Sequence, residues 1–455
     1  MRLLFVSILY VLVIGLSIIT QQGYALYFGN DLTITNSSEM PSLFPKQLAA
    51  TEKGDVYVVW VENYSIYITS SHENQKKFGP KVLISQPNKL ALSPHVIATE
   101  KGDVYVVWVD INNKTGDSNI EFISSNDSGK NFGPQKELRG GQSASFFPQL
   151  AATEKGDVYV VWVDINNKTG DSNIEFISSN DSGKNFGPQK ELRSGKSISF
   201  FPQLAATEKG DVYVVWVDKN NKTGGSNIDF ISSIDSGMTF SSSKKLTGGK
   251  SISFFPQLAA TEKGDVYVVW VDKNNKTGDT DIIFRSSNNS GMSFDDRIKV
   301  RRSESVLSFS PYIAATEKGD VYLVWMDRNS TTGDSDITFR NSNDRGKDFE
   351  RAINLNKGEN KLSNSSLPQV ATTQKDSVYV VWLDNQIQFK EILVKDALVG
   401  NTISLSNKTT TSLSPQLTAT KNGNLFVIWG DRNNNTIDKS IHFKRISGNY
   451  FDRNS

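Results

Sequence analysis

A seven-residue phrase, Val-Tyr-Val-Val-Trp-Val-Asp, occupies residues 104–110 and returns unchanged at 158–164, 212–218 and 266–272. Weaker copies end at Glu62, Asp327, Asp384 and Asp431. All eight tryptophans, at positions 60, 108, 162, 216, 270, 325, 382 and 429, sit at the same place in this phrase. A period of that kind means one supersecondary unit used eight times, and it constrains the fold more than any other feature.

The unit that begins at Pro94 shows what is repeated. Residues 94–99 form a short apolar strand, and Glu100-Lys-Gly-Asp103 is a polar turn. Residues 104–109 are apolar on both alternating faces, as expected of a strand buried between two stacked sheets. Residues 111–118 are a loop by composition, 119–124 a third strand, 125–132 a compact turn and 134–139 a fourth, more polar strand. Four antiparallel strands in about 54 residues make a propeller blade. The Trp spacings of 48, 54, 54, 54, 55, 57 and 47 place length changes in loops and leave the strands constant. The expected fold is therefore an all-β propeller. Eight blades is the direct count; seven plus one irregular unit is the alternative, because unit 7 diverges most after its Trp.

The turn at 125–132 reads Ser125-x-Asp127-x-Gly129-x-x-Phe132. It recurs as Ser179, Asp181, Gly183, Phe186; as Ser233, Asp235, Gly237, Phe240; and as Ser342, Asp344, Gly346, Phe349. A variant has Asn289 for the Asp, between Ser287, Gly291 and Phe294. These turns resemble the Asp-box, or BNR repeat, of the sialidase-like propellers. The resemblance covers essentially the whole chain after residue 25, although units 1, 7 and 8 lack the pattern. It implies a structural role for the boxes, with Asp capping its own turn, Gly left-handed and the aromatic ring plugging the blade.

The same resemblance makes a sialidase testable. That family implies three arginines clamping a carboxylate, a Tyr–Glu nucleophile pair, an Asp acid/base and an Arg-Ile-Pro signature. No Arg-Ile-Pro occurs, and between Ala25 and Arg285 the only arginines are Arg139 and Arg193. Lysine does not replace bidentate arginine at such a clamp. The one local cluster is Arg301, Arg302 and Glu304 with Tyr312 beyond it, so these four are weak catalytic candidates against a reading as a solvated connection. Residues 98–139 and 152–193 are identical over 42 positions. A catalytic centre needs different groups converging on one bond, so residues shared by all units are expected to be scaffold.

Other classes are disfavoured by composition. Lys plus Arg (50) and Asp plus Glu (49) cancel, leaving no electrostatic footprint for nucleic acid. There is no Cys, and only three His, at 72, 95 and 442, so thiolate or histidine-rich metal sites are not expected. The oxygen-rich stretch 110–117 matches a Ca²⁺ loop poorly, since Lys114 stands where a ligand is needed. No metal and no cofactor are expected. The first-strand positions His95, Gln149, Gln203, Gln257, Tyr312, Gln369 and Gln416 fall near the expected axis, where amides could bind a polar ligand or simply line a channel.

Arg2, an apolar run over 3–19 and small residues at Gly23 and Ala25 read as a secretory signal over 1–25, with an uncleaved anchor as the alternative. Residues 26–455 then form a single propeller domain outside the cytoplasm. Sequons stand at Asn36, Asn63, Asn113, Asn167, Asn221, Asn275, Asn329, Asn364, Asn407 and Asn434, which permits glycosylation. Unit 8 shows no good fourth strand, and residues 28–35 lie at the right distance before Pro45 to supply it. The expectation is a secreted or cell-surface monomer that binds a protein or glycan. A sialidase-like glycoside hydrolase and a structural cell-coat glycoprotein are the alternatives.

Overall fold

The computed structural model describes residues 26–37, 47–72, 77–87, 89–112, 114–139, 143–193, 198–219, 224–248, 252–274, 277–301, 306–356, 364–373, 377–396, 398–433 and 439–448. Among them there is no helix, and the strands of each unit pair antiparallel in chain order. In unit 2, Leu90–Ala98, Val104–Ile111, Ser118–Ser125 and Lys136–Arg139 follow one another across the sheet. The first strand starts upstream of Pro94, where the sequence suggested its beginning. The register shifts between Leu92 and His95, and Ser93 has a positive φ of 52°. This bulge carries the strand past a proline that has no N–H to give. Phe147, Phe201, Phe255, Ser310, Leu367 and Ser414 repeat it, with φ between 47° and 54°.

The Trp strand is buried along its whole apolar length. Its two faces pack on two different neighbours. Val104, Val106 and Trp108 join Tyr57, Val59 and Val61 of unit 1. Tyr105, Val107 and Val109 join Val158, Val160 and Trp162 of unit 3. The same exchange occurs at each later junction, and the last one sets Phe426 and Ile428 of unit 8 against Val56, Val58 and Trp60 of unit 1. A residue type repeated at one place in the phrase is thus a residue type required at every junction. Truncating a fully buried Trp there removes about 3–5 kcal/mol.

First strands touch first strands from unit to unit, and that of unit 8 touches that of unit 1. Those of units 1, 2, 6, 7 and 8 line a cavity of about 310 Å³. This arrangement of successive antiparallel sheets about an axial cavity is a β-propeller. Leu26–Phe28 and Leu32–Ser37 hydrogen-bond antiparallel along Lys439–Gly448, the third strand of unit 8. Leu26 and Phe28 pack into the junction between units 7 and 8, and Leu32 and Ile34 into that between 8 and 1.

Candidate functional site

The repeated polar residues are engaged in holding units to one another. The turn glutamates form a chain of carboxylate-to-backbone bonds. Glu154 accepts from Glu100 N at 2.9 Å, Glu208 from Glu154 N at 2.9 Å, and Glu262 from Glu208 N at 3.0 Å. Glu52 continues it into unit 8, accepting from Asn422 N at 3.0 Å. The Asp that ends the Trp strand of units 3, 4 and 6 is held across a junction likewise. Arg139 reaches Asp164 of the next unit at 3.1 Å, Arg193 reaches Asp218 at 3.4 Å, and Arg301 reaches Asp327 at 3.3 Å. Unit 4 has Thr247 where units 2, 3 and 5 have arginine, and Asp272 is instead served by Arg297 of its own unit at 2.5 Å.

This accounts for Arg301. It is buried, and besides Asp327 it donates to Thr280 O at 3.0 Å. It occupies the place of Arg139 and Arg193, so its role is to join units. Tyr312 lies elsewhere, on the wall of the axial cavity with His95, Gln369 and Gln416. The weak cluster suggested by their closeness in sequence is therefore divided between a junction and the cavity. Arg302 and Glu304 lie outside the described residues.

The Asp-box-like turns are closed units. Ser125 Oγ donates to Asp127 Oδ1 at 2.7 Å and accepts from Gly129 N at 3.0 Å. Asp127 accepts from Asn131 N at 2.9 Å. Backbone and side-chain bonds from Asn131 hold the Asp127 carboxyl down at about 2. Ser179/Asp181, Ser233/Asp235 and Ser342/Asp344 repeat the Ser–Asp bond at 2.6–2.7 Å, and Ser287/Asn289 forms it at 2.9 Å. The expected aromatic plug sits between units. Phe186, Phe240, Phe294 and Phe349 each meet a Phe of the preceding unit edge-on at 4.9–5.0 Å. Gly183 has φ 73°, and a Cβ there would lie 2.5 Å from the Phe122 ring, so the turn fits its neighbour only without a side chain.

Of the sequons, Asn63, Asn167, Asn329, Asn364 and Asn407 are exposed. Asn36 lies on a strand whose side chain is not described there, and Asn113, Asn221, Asn275 and Asn434 lie outside the described residues. Among the described residues no three His, Asp or Glu side chains gather in a way that could hold a metal ion.

Sequence reading missed a row of buried acids opposite the tryptophans. Glu121 pairs across the ladder with Trp108, Glu175 with Trp162 and Asp229 with Trp216. Burial, with the charges of Glu191 and Asp164, pushes Glu175 up to about 7. Burial, with the charge of Asp218, pushes Asp229 up to about 6. Lys89 bridges Glu121 at 3.3 Å and Asp110 at 3.4 Å. All three acids are at most 5% exposed, which keeps them from an external substrate.

The amides of the first strands also serve the ring. Gln416 accepts from Gln47 N at 2.9 Å, His95 Nδ1 from Leu150 N at 2.9 Å, and Gln369 from Leu417 N at 2.8 Å. The innermost strands leave apolar side chains exposed, leucine (Leu367, Leu413) in units 7 and 8 and phenylalanine in units 3 to 5. Phe147 is 44% and Phe255 41% exposed, with Phe201 between them at ring distances of 5.1 and 5.8 Å. All three stand at the positive-φ bulge, a conformation that is an outlier for a bulky side chain and costs about 1–3 kcal/mol. Units 2, 6 and 8 put Ser93, Ser310 and Ser414 there. The sequence signal was Phe-Phe-Pro at 146–148, 200–202 and 254–256.

No protein-family model and no curated protein matches the chain. Solved structures do. The chain is similar to a polysaccharide lyase, an ulvan lyase bound to -[GlcA(1-4)Rha3S]-, with TM-score 0.54 and 12% identity over 83% of this chain and 98% of that one. It is also similar to an α-L-arabinanase of Penicillium chrysogenum complexed with arabinobiose, with TM-score 0.43 and 13% identity over 67% and 93% of the two chains. A third is the NanB sialidase of Streptococcus pneumoniae (K499G mutant), with TM-score 0.40 and 9% identity over 92% and 93%. At these identities the likeness is one of fold, an all-β propeller.

Proposed function

We propose that the chain is an extracellular, eight-bladed propeller that recognises a carbohydrate polymer through the aromatic arc Phe147–Phe201–Phe255. Eight Trp junctions support the blade count, and the pairing of residues 26–37 with unit 8 supports closure by the N-terminal strands. The apolar N-terminal run supports export. The arc carries the functional reading. Three identical rings on consecutive blades suit a ligand that itself repeats. A sugar ring can lay its apolar C–H face on a phenyl ring while its hydroxyls stay hydrated. The same bulge carries serine in units 2, 6 and 8, so the rings are a choice of side chain that the backbone does not require. The sialidase alternative loses Arg301 to a junction, and no clamp is proposed. Proteins of this fold that hold oligosaccharides, such as the ulvan lyase, are compatible with the reading.

A glycan array probed with residues 26–455 tests this. Binding to polysaccharides is expected. Binding to protein ligands only, or to nothing, would reject it.

A further inference from the structure

Unit 7 breaks the pattern on the face where the Trp strands end. In unit 2 the following loop folds on itself, with Gly116 N donating to Asn112 O and Asn112 N to Asp117 O, both at 2.8 Å. Units 3, 5 and 6 repeat these bonds at Asn166, Asn274 and Asn329. Unit 7 has no such loop. Ser377–Asp384 turns into Gln386–Leu393 through Asn385 alone, at φ 55°. Where units 2, 3, 5 and 6 have this loop, a groove of about 550 Å³ opens between the unit 7 turn and the start of Thr410–Ala419 in unit 8.

The groove has the composition of a sugar site. Asn364, Asn385 and Thr411 offer amides and a hydroxyl, Leu383 and Leu413 give apolar surface, and Lys408 is the one charged residue among the described lining. Its wall is fixed from behind. Ser406 Oγ accepts from Ile387 N at 2.9 Å and from Ser412 Oγ at 2.6 Å, and Ser406 O accepts from Gln386 Nε2 at 2.6 Å. Lys408 sits in a turn closed by Thr409 N donating to Asn407 Oδ1 at 3.2 Å and Thr410 Oγ1 to Asn407 O at 3.0 Å. A preorganised polar wall with a single cation selects a hydroxylated anion.

We infer that this groove is a subsite for an acidic sugar residue, a uronate or a sulfated sugar. Its anion meets Lys408 Nζ, and its hydroxyls meet Asn385, Thr411 and Asn364. The inference rests on the glycan reading above and adds the charge of the ligand. The probes are an oligosaccharide of glucuronate and 3-sulfated rhamnose and its carboxyl-reduced, desulfated counterpart, titrated calorimetrically into residues 26–455. Wild type should bind the acidic probe at least about tenfold more tightly than the neutral one. Lys408→Gln, at an exposed position, should erase that difference without changing the neutral affinity. Leu413→Trp, which fills the groove, should weaken the acidic probe to the same level.

Equal wild-type affinities for the two probes, or an acidic affinity unmoved by Lys408→Gln, would overturn the subsite. If binding then still falls on replacing the three phenylalanines, the glycan reading stands without the subsite. If wild type binds neither probe, the subsite falls, and the glycan array decides the broader reading separately.

Discussion

Units 2–6 and units 7, 8 and 1 solve the same packing problem with different freedom. In the first group the turn glutamates, the junction arginines and the Asp-box-like turns each bind a neighbour or close a turn, so a change in one unit must be met in the next. Asp272 illustrates this, since it faces Thr247 of unit 4 in place of an arginine and pairs with Arg297 of its own unit. In the second group the Trp junction persists and Glu52 still binds the unit 8 backbone, but the junction arginines and Asp-box-like turns lapse. Unit 7 drops a loop and gains a groove. Unit 8 borrows its outer strands from the N-terminus. Buried sameness here records the demands of mutual packing; on the surface, repetition gives the Phe147–Phe201–Phe255 arc and divergence gives the groove of unit 7.

The largest effect should come from attacking the seam. Deleting residues 26–37 exposes the edge of Lys439–Gly448 and uncovers two junction cores. Urea unfolding should show a loss beyond about 5 kcal/mol, or a split transition, where any one substitution does less. Wild-type-like melting would contradict the closure. Within the repeated units, Trp216→Ala should cost about 3–5 kcal/mol. Arg301→Ala should cost about 1–3 kcal/mol, because Asp327 loses its ion partner and keeps only the hydroxyls of Ser308 and Thr338, while glycan affinity stays unchanged. A loss of binding or turnover with intact stability would return Arg301 to a functional role.

A pH series sharpens the contrast further. Glu175 and Asp229 titrate higher in the folded protein than their ordinary values of 4.5 and 3.8. The folded state therefore binds their protons more readily. Their contribution favours folding at low pH and is lost as pH rises through about 6 and about 7. The urea midpoint should fall between pH 5 and pH 8, and Glu175→Gln should recover on the order of 2 kcal/mol at pH 8. A flat profile in that window would show that Arg139, Arg193 and Lys245 already neutralise these acids. The carboxyls of Asp127, Asp181 and Asp235 act only in strong acid, since they are held near 2, so the two windows do not overlap.

The Trp period was legible in the sequence because one junction recurs and tolerates one shape. The place of the N-terminal strands was legible for a related reason, since strand lengths and spacings are fixed by their partners. The aromatic arc was not. Setting each unit to begin at its proline cut Phe-Phe-Pro in two, and nothing local announces that Phe147 will take a positive φ. The buried acids were hidden because a Glu in an alternating strand reads as a solvent-facing residue. Only the ladder partner, Trp108 or Trp162, reveals the other neighbour. The groove was hidden because it is made by residues that unit 7 lacks. Arg301 misled in the opposite sense, since its nearness to Tyr312 in sequence was not nearness of role.

The smallest structural perturbation carries the sharpest functional test. Serine already occupies the bulge in units 2, 6 and 8, so Phe147→Ser, Phe201→Ser and Phe255→Ser together should change stability by no more than about 1 kcal/mol per site. Calorimetric titration of this triple variant with a polysaccharide that wild type binds is the direct measurement. The account predicts at least a tenfold loss of affinity, about 1.4 kcal/mol, with the melting transition retained. Undiminished affinity in a folded triple variant would contradict it.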